Sequence, residues 1–216
     1  MNDKKPKAAL FDLDGVVVDT ESQYSLFWGG ECRRYFPDQP GLEDRIKGQT
    51  LVQIYDTAFA SLRSEQPLIT QRLNAFEQQM SYDYVPGVQA FITELHQHGV
   101  RMAVVTSSNV PKMQNVYRQH PELLELFDAI LTAEDFTESK PHPQCYLRGA
   151  ARLGAEPGEC IGFEDSFNGL KAVRASGMSV VGLATTNSRT DIEPLADIVV
   201  DDFQTLHFDD ICRLMQ

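Results

Sequence analysis

The sequence predicts an α/β protein whose parallel sheet is interrupted, after its first strand, by an all-helical insert. Three observations carry this. Short apolar runs recur along most of the 216 residues, and helix-like stretches separate most of them, the βαβ pattern of a parallel sheet. From about 18 to 84 no such run occurs, and apolar residues recur instead at helical spacing, as in Ile69, Leu73, Phe76 and Met80. Turn-forming residues bracket this stretch, Gly15 before it and Val85-Pro86-Gly87 after it. The boundaries expected are a core at 1–17 and 85–216 and a helical insert at 18–84.

The first strand, Lys7 to Asp12, is built on Ala8-Ala9-Leu10-Phe11 and runs into Asp12-Leu13-Asp14-Gly15-Val16. The insert reads as helices over Gln23 to Phe36, Leu51 to Arg63 and Thr70 to Tyr82. Further strands are expected at Val100 to Thr106, Phe127 to Thr132, Cys160 to Glu164, Met178 to Leu183 and Asp197 to Asp201, with a helix from Asn168 to Ser176 after the fourth. No internal repeat or low-complexity tract is present.

Composition narrows the function classes. With 42% hydrophobic and 23% charged residues the chain reads as globular, and no apolar stretch approaches the roughly 20 residues of a membrane span. The basic start, Met1-Asn2-Asp3-Lys4-Lys5-Pro6-Lys7, precedes an apolar run too short for a signal peptide, so no targeting segment is expected. Cys32, Cys145, Cys160 and Cys212 show no metal-ligand spacing and suit inert thiols in a reducing cytoplasm. The formal charge of −12 argues against nucleic-acid or anionic-membrane partners, which require a basic face. A small anionic substrate needs only a local positive site.

Polar groups gather where the strands should end. Asp12 and Asp14 follow the first, Thr106-Ser107-Ser108-Asn109 the second, Ser139-Lys140-Pro141 comes in the loop after the third, and Glu164-Asp165-Ser166 closes the fourth. In a parallel sheet these ends share one edge, where ligands bind. Each has an ordinary reading alone, as turn formers, helix caps or a solvated lysine. Their ordered recurrence after apolar runs points to a site. Four carboxylates placed together would repel and raise one another's pKa unless a cation joined them, and Mg²⁺ prefers such hard oxygen ligands.

The motifs Asp12-Leu13-Asp14-Gly15-Val16, Thr106-Ser107-Ser108, Ser139-Lys140-Pro141 and Gly162-Phe163-Glu164-Asp165-Ser166 resemble those of the haloacid dehalogenase-like hydrolases with a helical cap, and among them the β-phosphoglucomutase and phosphoglycolate phosphatase branch. The resemblance covers nearly the whole chain. It implies a Rossmann-like core, a mobile cap, and Mg²⁺-dependent phosphoryl transfer from a small phosphorylated metabolite through an aspartyl phosphate. It makes Asp12 the nucleophile and Asp14 the general acid and base. Metal ligands are then Asp12, Asp165 and the Asp14 carbonyl, with Glu164 contributing directly or through water. Thr106, Ser107 and Lys140 hold the phosphate. In the cap, Lys47, Gln49 and Thr50 of Ile46-Lys47-Gly48-Gln49-Thr50, together with Tyr24, are candidate specificity residues.

Asp14 favours a phosphate ester over a carbon–halogen bond, because only the former has a leaving alkoxide to protonate. Departures from the mutase pattern matter too: Leu51 and Asn109 stand where the β-phosphoglucomutases place an Arg and a Lys, and Tyr24 where they place a His. The expectation is a phosphatase, with a sugar-phosphate mutase as the alternative and a non-catalytic phosphate-binding regulator as a remote one. Oligomeric state is not legible.

Overall fold

The computed structural model describes residues 5–47 and 49–215, so the first four residues of the basic start and Gly48 of the cap segment lie outside the described residues. Strand β1 (Ala8–Phe11) leads into helices α1 (Glu21–Tyr35), α2 (Leu42–Ile46), α3 (Leu51–Asp56) and α4 (Gln66–Glu77). Then come α5 (Val88–Gln97), β2 (Arg101–Val105), α6 (Val110–Gln119), α7 (Leu123–Leu126), β3 (Ala129–Leu131) and α8 (Gln144–Arg152). The chain continues through β4 (Cys160–Glu164), α9 (Phe167–Ser176), β5 (Ser179–Leu183), α10 (Arg189–Ile192), β6 (Ile198–Val200) and α11 (Phe208–Arg213).

The six strands pair in parallel in the order β3-β2-β1-β4-β5-β6, the Rossmann order. Alternation along β1 explains the two layers. Ala9 and Phe11 face a core completed by Val88, Phe91, Ile92 and Leu95 of α5, while Ala8 and Leu10 face one completed by Tyr146 of α8 and Leu170 and Val173 of α9. Phe11 stacks on Phe163 with ring centroids 4.4 Å apart. The register sets Phe11 beside Val104 on β2 and Phe163 on β4, so Asp12 leaves the sheet between two strand ends. Ligands in open α/β sheets bind in the crevice at such ends.

Helices α1 to α4 enclose their own apolar cluster, centred on Trp28, Cys32, Ile54, Phe59, Ile69 and Leu73, and form the helical cap. Two expected helices differ here. The periodicity beginning at Ile69 belongs to a helix that starts earlier, at Gln66, because Pro67 suits its first turn. That helix ends at Glu77, so Met80 is buried from irregular chain. The stretch Leu51 to Arg63 is broken into α3 and a short 3₁₀ turn, Ala60–Leu62, and α2 was not expected at all. No helix among the described residues is long and apolar enough to cross a membrane.

Candidate active site

Asp12 is fixed from the backbone outward. Its amide donates to the Phe163 carbonyl at 3.0 Å, extending the β1–β4 ladder by one residue. Lys140 Nζ then donates to Asp12 Oδ1 at 2.7 Å, Glu164 Oε1 at 2.6 Å and the Val105 carbonyl at 3.2 Å. All three ammonium protons are thereby used, which holds a buried cation in one orientation.

Glu164 ends β4 with no exposed surface, and its two oxygens accept from Lys140, from Tyr146 Oη at 2.9 Å, and from Asp165 N and Ser166 N and Oγ. It orients Lys140 from beneath. Gly169, in the first turn of α9, faces this carboxylate closely enough that a Cβ there would collide with it. Asp12, Glu164 and Asp165 offer one oxygen each within 4.8 Å of one another.

The electrostatics follow from burial. Desolvation pushes the Asp12 carboxyl up to about 7 against the pull of Lys140, with Glu164 and Asp14 pushing the same way. Asp165 is pushed well above the usual carboxylate range by burial and by the Glu164 and Asp12 charges. Burial works against the Lys140 ammonium, but Asp12 and Glu164 outweigh it and keep the proton on.

Asp14 is different. Gly15, at φ +72°, turns the chain here, and a Cβ at that position would collide with the Asp165 carboxylate. Lys112 Nζ lies 2.6 Å from both Asp14 oxygens, Ser108 Oγ donates at 2.8 Å, and the Thr20 hydroxyl donates to the same group. Burial raises the Asp14 pKa, yet Lys112 and these hydroxyls more than offset it, and the carboxyl sits below its ordinary value.

A cavity of about 180 Å³ lies between this cluster and the cap. It is lined by Asp12, Asp14, Thr106, Ser107, Lys140 and Asp165, and by Lys47, Gln49, Thr50 and Tyr24 from the cap, so the structure brings these predicted residues together; Glu164 lies below the lining. Thr106 is buried and its Oγ1 accepts from Ser108 N at 3.0 Å, whereas Ser107 is exposed at the mouth. The Thr50 hydroxyl caps α3, accepting from Gln53 N, while Gln53 Nε2 donates to the Lys140 carbonyl at 3.0 Å and ties cap to core.

Sequence reasoning missed Lys112, Glu21 and Glu77, which line the same cavity. Burial pushes the Glu21 carboxyl up to about 7, helped by the Asp14 charge. Glu77 accepts from Tyr24 Oη at 2.8 Å, and Lys112 lies 4.6 Å from the Tyr24 ring centroid. One signal was available: Lys112 falls in the first turn of a helix capped by Asn109, where a cation opposes the helix dipole unless a carboxylate meets it.

Comparison with known proteins gives the family and the fold. The sequence model of the haloacid dehalogenase-like hydrolases matches residues 6–177. YhcW of Bacillus subtilis (strain 168) is 30% identical over 195 residues, 81% of this chain and 82% of that protein. Hexitol phosphatase B of Escherichia coli (strain K12) is 27% identical over 222 residues, 94% and 96% of the two chains. A crystal structure of β-phosphoglucomutase from Clostridium difficile superposes with a TM-score of 0.80 at 23% identity, over 97% of each chain, and shows the shared fold.

Proposed function

The chain belongs to the haloacid dehalogenase-like hydrolases, and from that membership we propose that it is a cytoplasmic, Mg²⁺-dependent phosphatase of small phosphate monoesters, working through a phosphoryl group carried on Asp12. The observation that carries the reading is the Asp12–Lys140–Glu164–Asp165 cluster at the carboxyl edge of β1 and β4, with Asp14 two residues on. The donor set fits the metal. Lys140 pairs with Asp12 and Glu164, while Asp165 accepts from the Thr186 hydroxyl, and hard carboxylate oxygens left uncompensated suit a divalent cation. Asp12 and Asp165, with the Asp14 carbonyl, would hold it. When bound, it neutralises charge on the phosphate.

The residues divide the work as follows. An Asp12 oxygen attacks phosphorus while the ester bond to the leaving oxygen breaks, and Lys140 orients Asp12 and sets a positive charge beside the phosphate. Thr106 and the Ser107 amide aim donors at the phosphoryl oxygens. Asp14 must first take up a proton from solvent to give it to the leaving oxygen; back as a carboxylate, it takes a proton from the water that attacks the Asp12-bound phosphorus and releases inorganic phosphate. The resting structure holds Asp14 as a carboxylate through Lys112, the form that activates water.

A small cavity favours a small metabolite, since about 180 Å³ falls below the roughly 300–1,000 Å³ of drug-sized sites. The mutase reading draws on the β-phosphoglucomutase likeness, but Leu51 supplies no charge to a second phosphate and Asn109 Oδ1 is spent accepting from Lys112 N at 3.0 Å. Incubation with p-nitrophenyl phosphate and with sugar phosphates, with Mg²⁺ present, tests the proposal. Release of inorganic phosphate without interconversion of glucose 1-phosphate and glucose 6-phosphate is expected. Isomerisation faster than hydrolysis, given a bisphosphate activator, would reject it.

A further inference from the structure

The turn after β5, a segment outside the four motifs, reaches both halves of the carboxylate cluster. Three consecutive side chains do this. Thr185 Oγ1 donates to the Gly15 carbonyl at 2.6 Å, the Thr186 hydroxyl donates to Asp165 Oδ2, and Asn187 Nδ2 donates to the Asp165 main-chain carbonyl at 2.9 Å. The turn is itself held from behind. Ala184 N donates to the Val200 carbonyl at 2.9 Å, and Arg189, at the start of α10, donates to the Val199 carbonyl at 2.5 Å and pairs with Asp201 at 2.9 Å. An anchored turn thus bridges the loop that follows Asp12 and Asp14 and the end of β4 that carries Asp165.

Asp165 differs from its neighbours in how its charge is met. Asp12 and Glu164 accept from the Lys140 ammonium and Asp14 from that of Lys112, whereas Asp165 makes no ion pair among the described residues and accepts from a neutral hydroxyl. A hydroxyl orients a carboxylate without neutralising it, so the charge stays available to a metal, and ligating carboxylates are held in this way by their outer partners. Gly15 makes the close approach possible, since a Cβ there would collide with both Asp165 Oδ2 and Thr186 Oγ1. Oδ1 of Asp165 accepts nothing from the described residues.

We propose that Thr186 is a positioning residue of the metal site, its hydroxyl turning the Asp165 carboxylate so that Oδ1 meets the cation, while Asn187 fixes the Asp165 backbone and Thr185 the loop at Gly15. The inference rests on the reading of Asp12 and Asp165 as Mg²⁺ ligands and adds what aims one of them.

Calorimetric titration of Mg²⁺ alone into the full chain tests it without turnover. Thr186→Val keeps the shape and removes the hydroxyl, so Mg²⁺ should bind about 10–100-fold more weakly. Thr186→Ser, which keeps the donor, should recover most of that affinity. With Mg²⁺ raised to saturation, p-nitrophenyl phosphate turnover by Thr186→Val should return toward the parent's, because what is lost is metal occupancy. Parental Mg²⁺ affinity in folded Thr186→Val overturns the inference and leaves the metal reading standing; Thr186→Ala serves the same comparison if the valine variant does not fold. Affinity as weak in Thr186→Ser as in Thr186→Val also overturns it, by assigning the effect to packing and not to the donor. Failure of the parent chain to bind Mg²⁺ overturns the metal reading and this inference together.

Discussion

Lys112 and Thr20 both sit where helix energetics would place something else, and both reach Asp14. Thr20 occupies the N-cap position of α1 but makes no side-chain cap, its hydroxyl going to Asp14 instead, and Lys112 carries a cation into the first turn of α6. Local rules broken in favour of one side chain mark that side chain as functional. Asp14→Asn should therefore slow poor leaving groups by about 10²–10⁴-fold, and p-nitrophenyl phosphate, whose phenolate leaves without a proton, by less. Equal losses on both substrates would remove the acid role. Lys112→Met leaves Asp14 buried without its counter-charge, so urea unfolding should show a loss of roughly 3–5 kcal/mol, the cost of orphaning one partner of a buried pair. The Lys112→Arg variant should recover part of it. Asp14 itself was evident from its spacing to Asp12, whereas Ser108 and Lys112 reach it from 94 and 98 residues away, and only the misplaced cation hinted at them.

At the scale of elements, the turn after β1 decides how the two carboxylates of the doublet diverge. Gly15→Ala would place a methyl group against the Asp165 carboxylate in a backbone conformation that L residues avoid. The variant should need more Mg²⁺ for half-maximal activity, with a loss of stability of about 1 kcal/mol or more. An unaltered Mg²⁺ requirement would place Asp165 outside the metal site. The strands were legible because each is a short apolar run ended by a polar or turn-forming residue, and the observed limits lie within a residue or two of those expected. The cap helices were less so. Their apolar residues serve a small separate core, and a five-residue helix such as α2 spans too little chain to show a period. The α4 start was legible in principle from Pro67, which the run of apolar spacings obscured.

Across the whole molecule, the site trades stability for charge. Between the ordinary carboxylate pKa of 3.8 and about 7, folded Asp12 keeps a proton that the unfolded chain has released, so its contribution to stability falls as pH rises through that window, and Asp165 acts in the same direction. Asp14, held below its ordinary value, acts oppositely: its contribution is present above 3.8 and is lost as pH falls through its folded pKa. Mg²⁺ binding requires Asp12 and Asp165 ionised, so the rise in Tm on adding Mg²⁺ should be small at pH 5 and large at pH 8. A pH-independent rise would mean that the metal is bound elsewhere, and full activity after exhaustive chelation would remove it from the chemistry. All of this depends on Asp12 receiving the phosphoryl group. Borohydride reduces an acyl phosphate to the alcohol, so quenching the enzyme during steady turnover and mapping its peptides by mass spectrometry should find homoserine at position 12. Peptides that retain unmodified Asp12, from enzyme caught in active turnover under conditions that reduce a control acyl phosphate, would contradict the account.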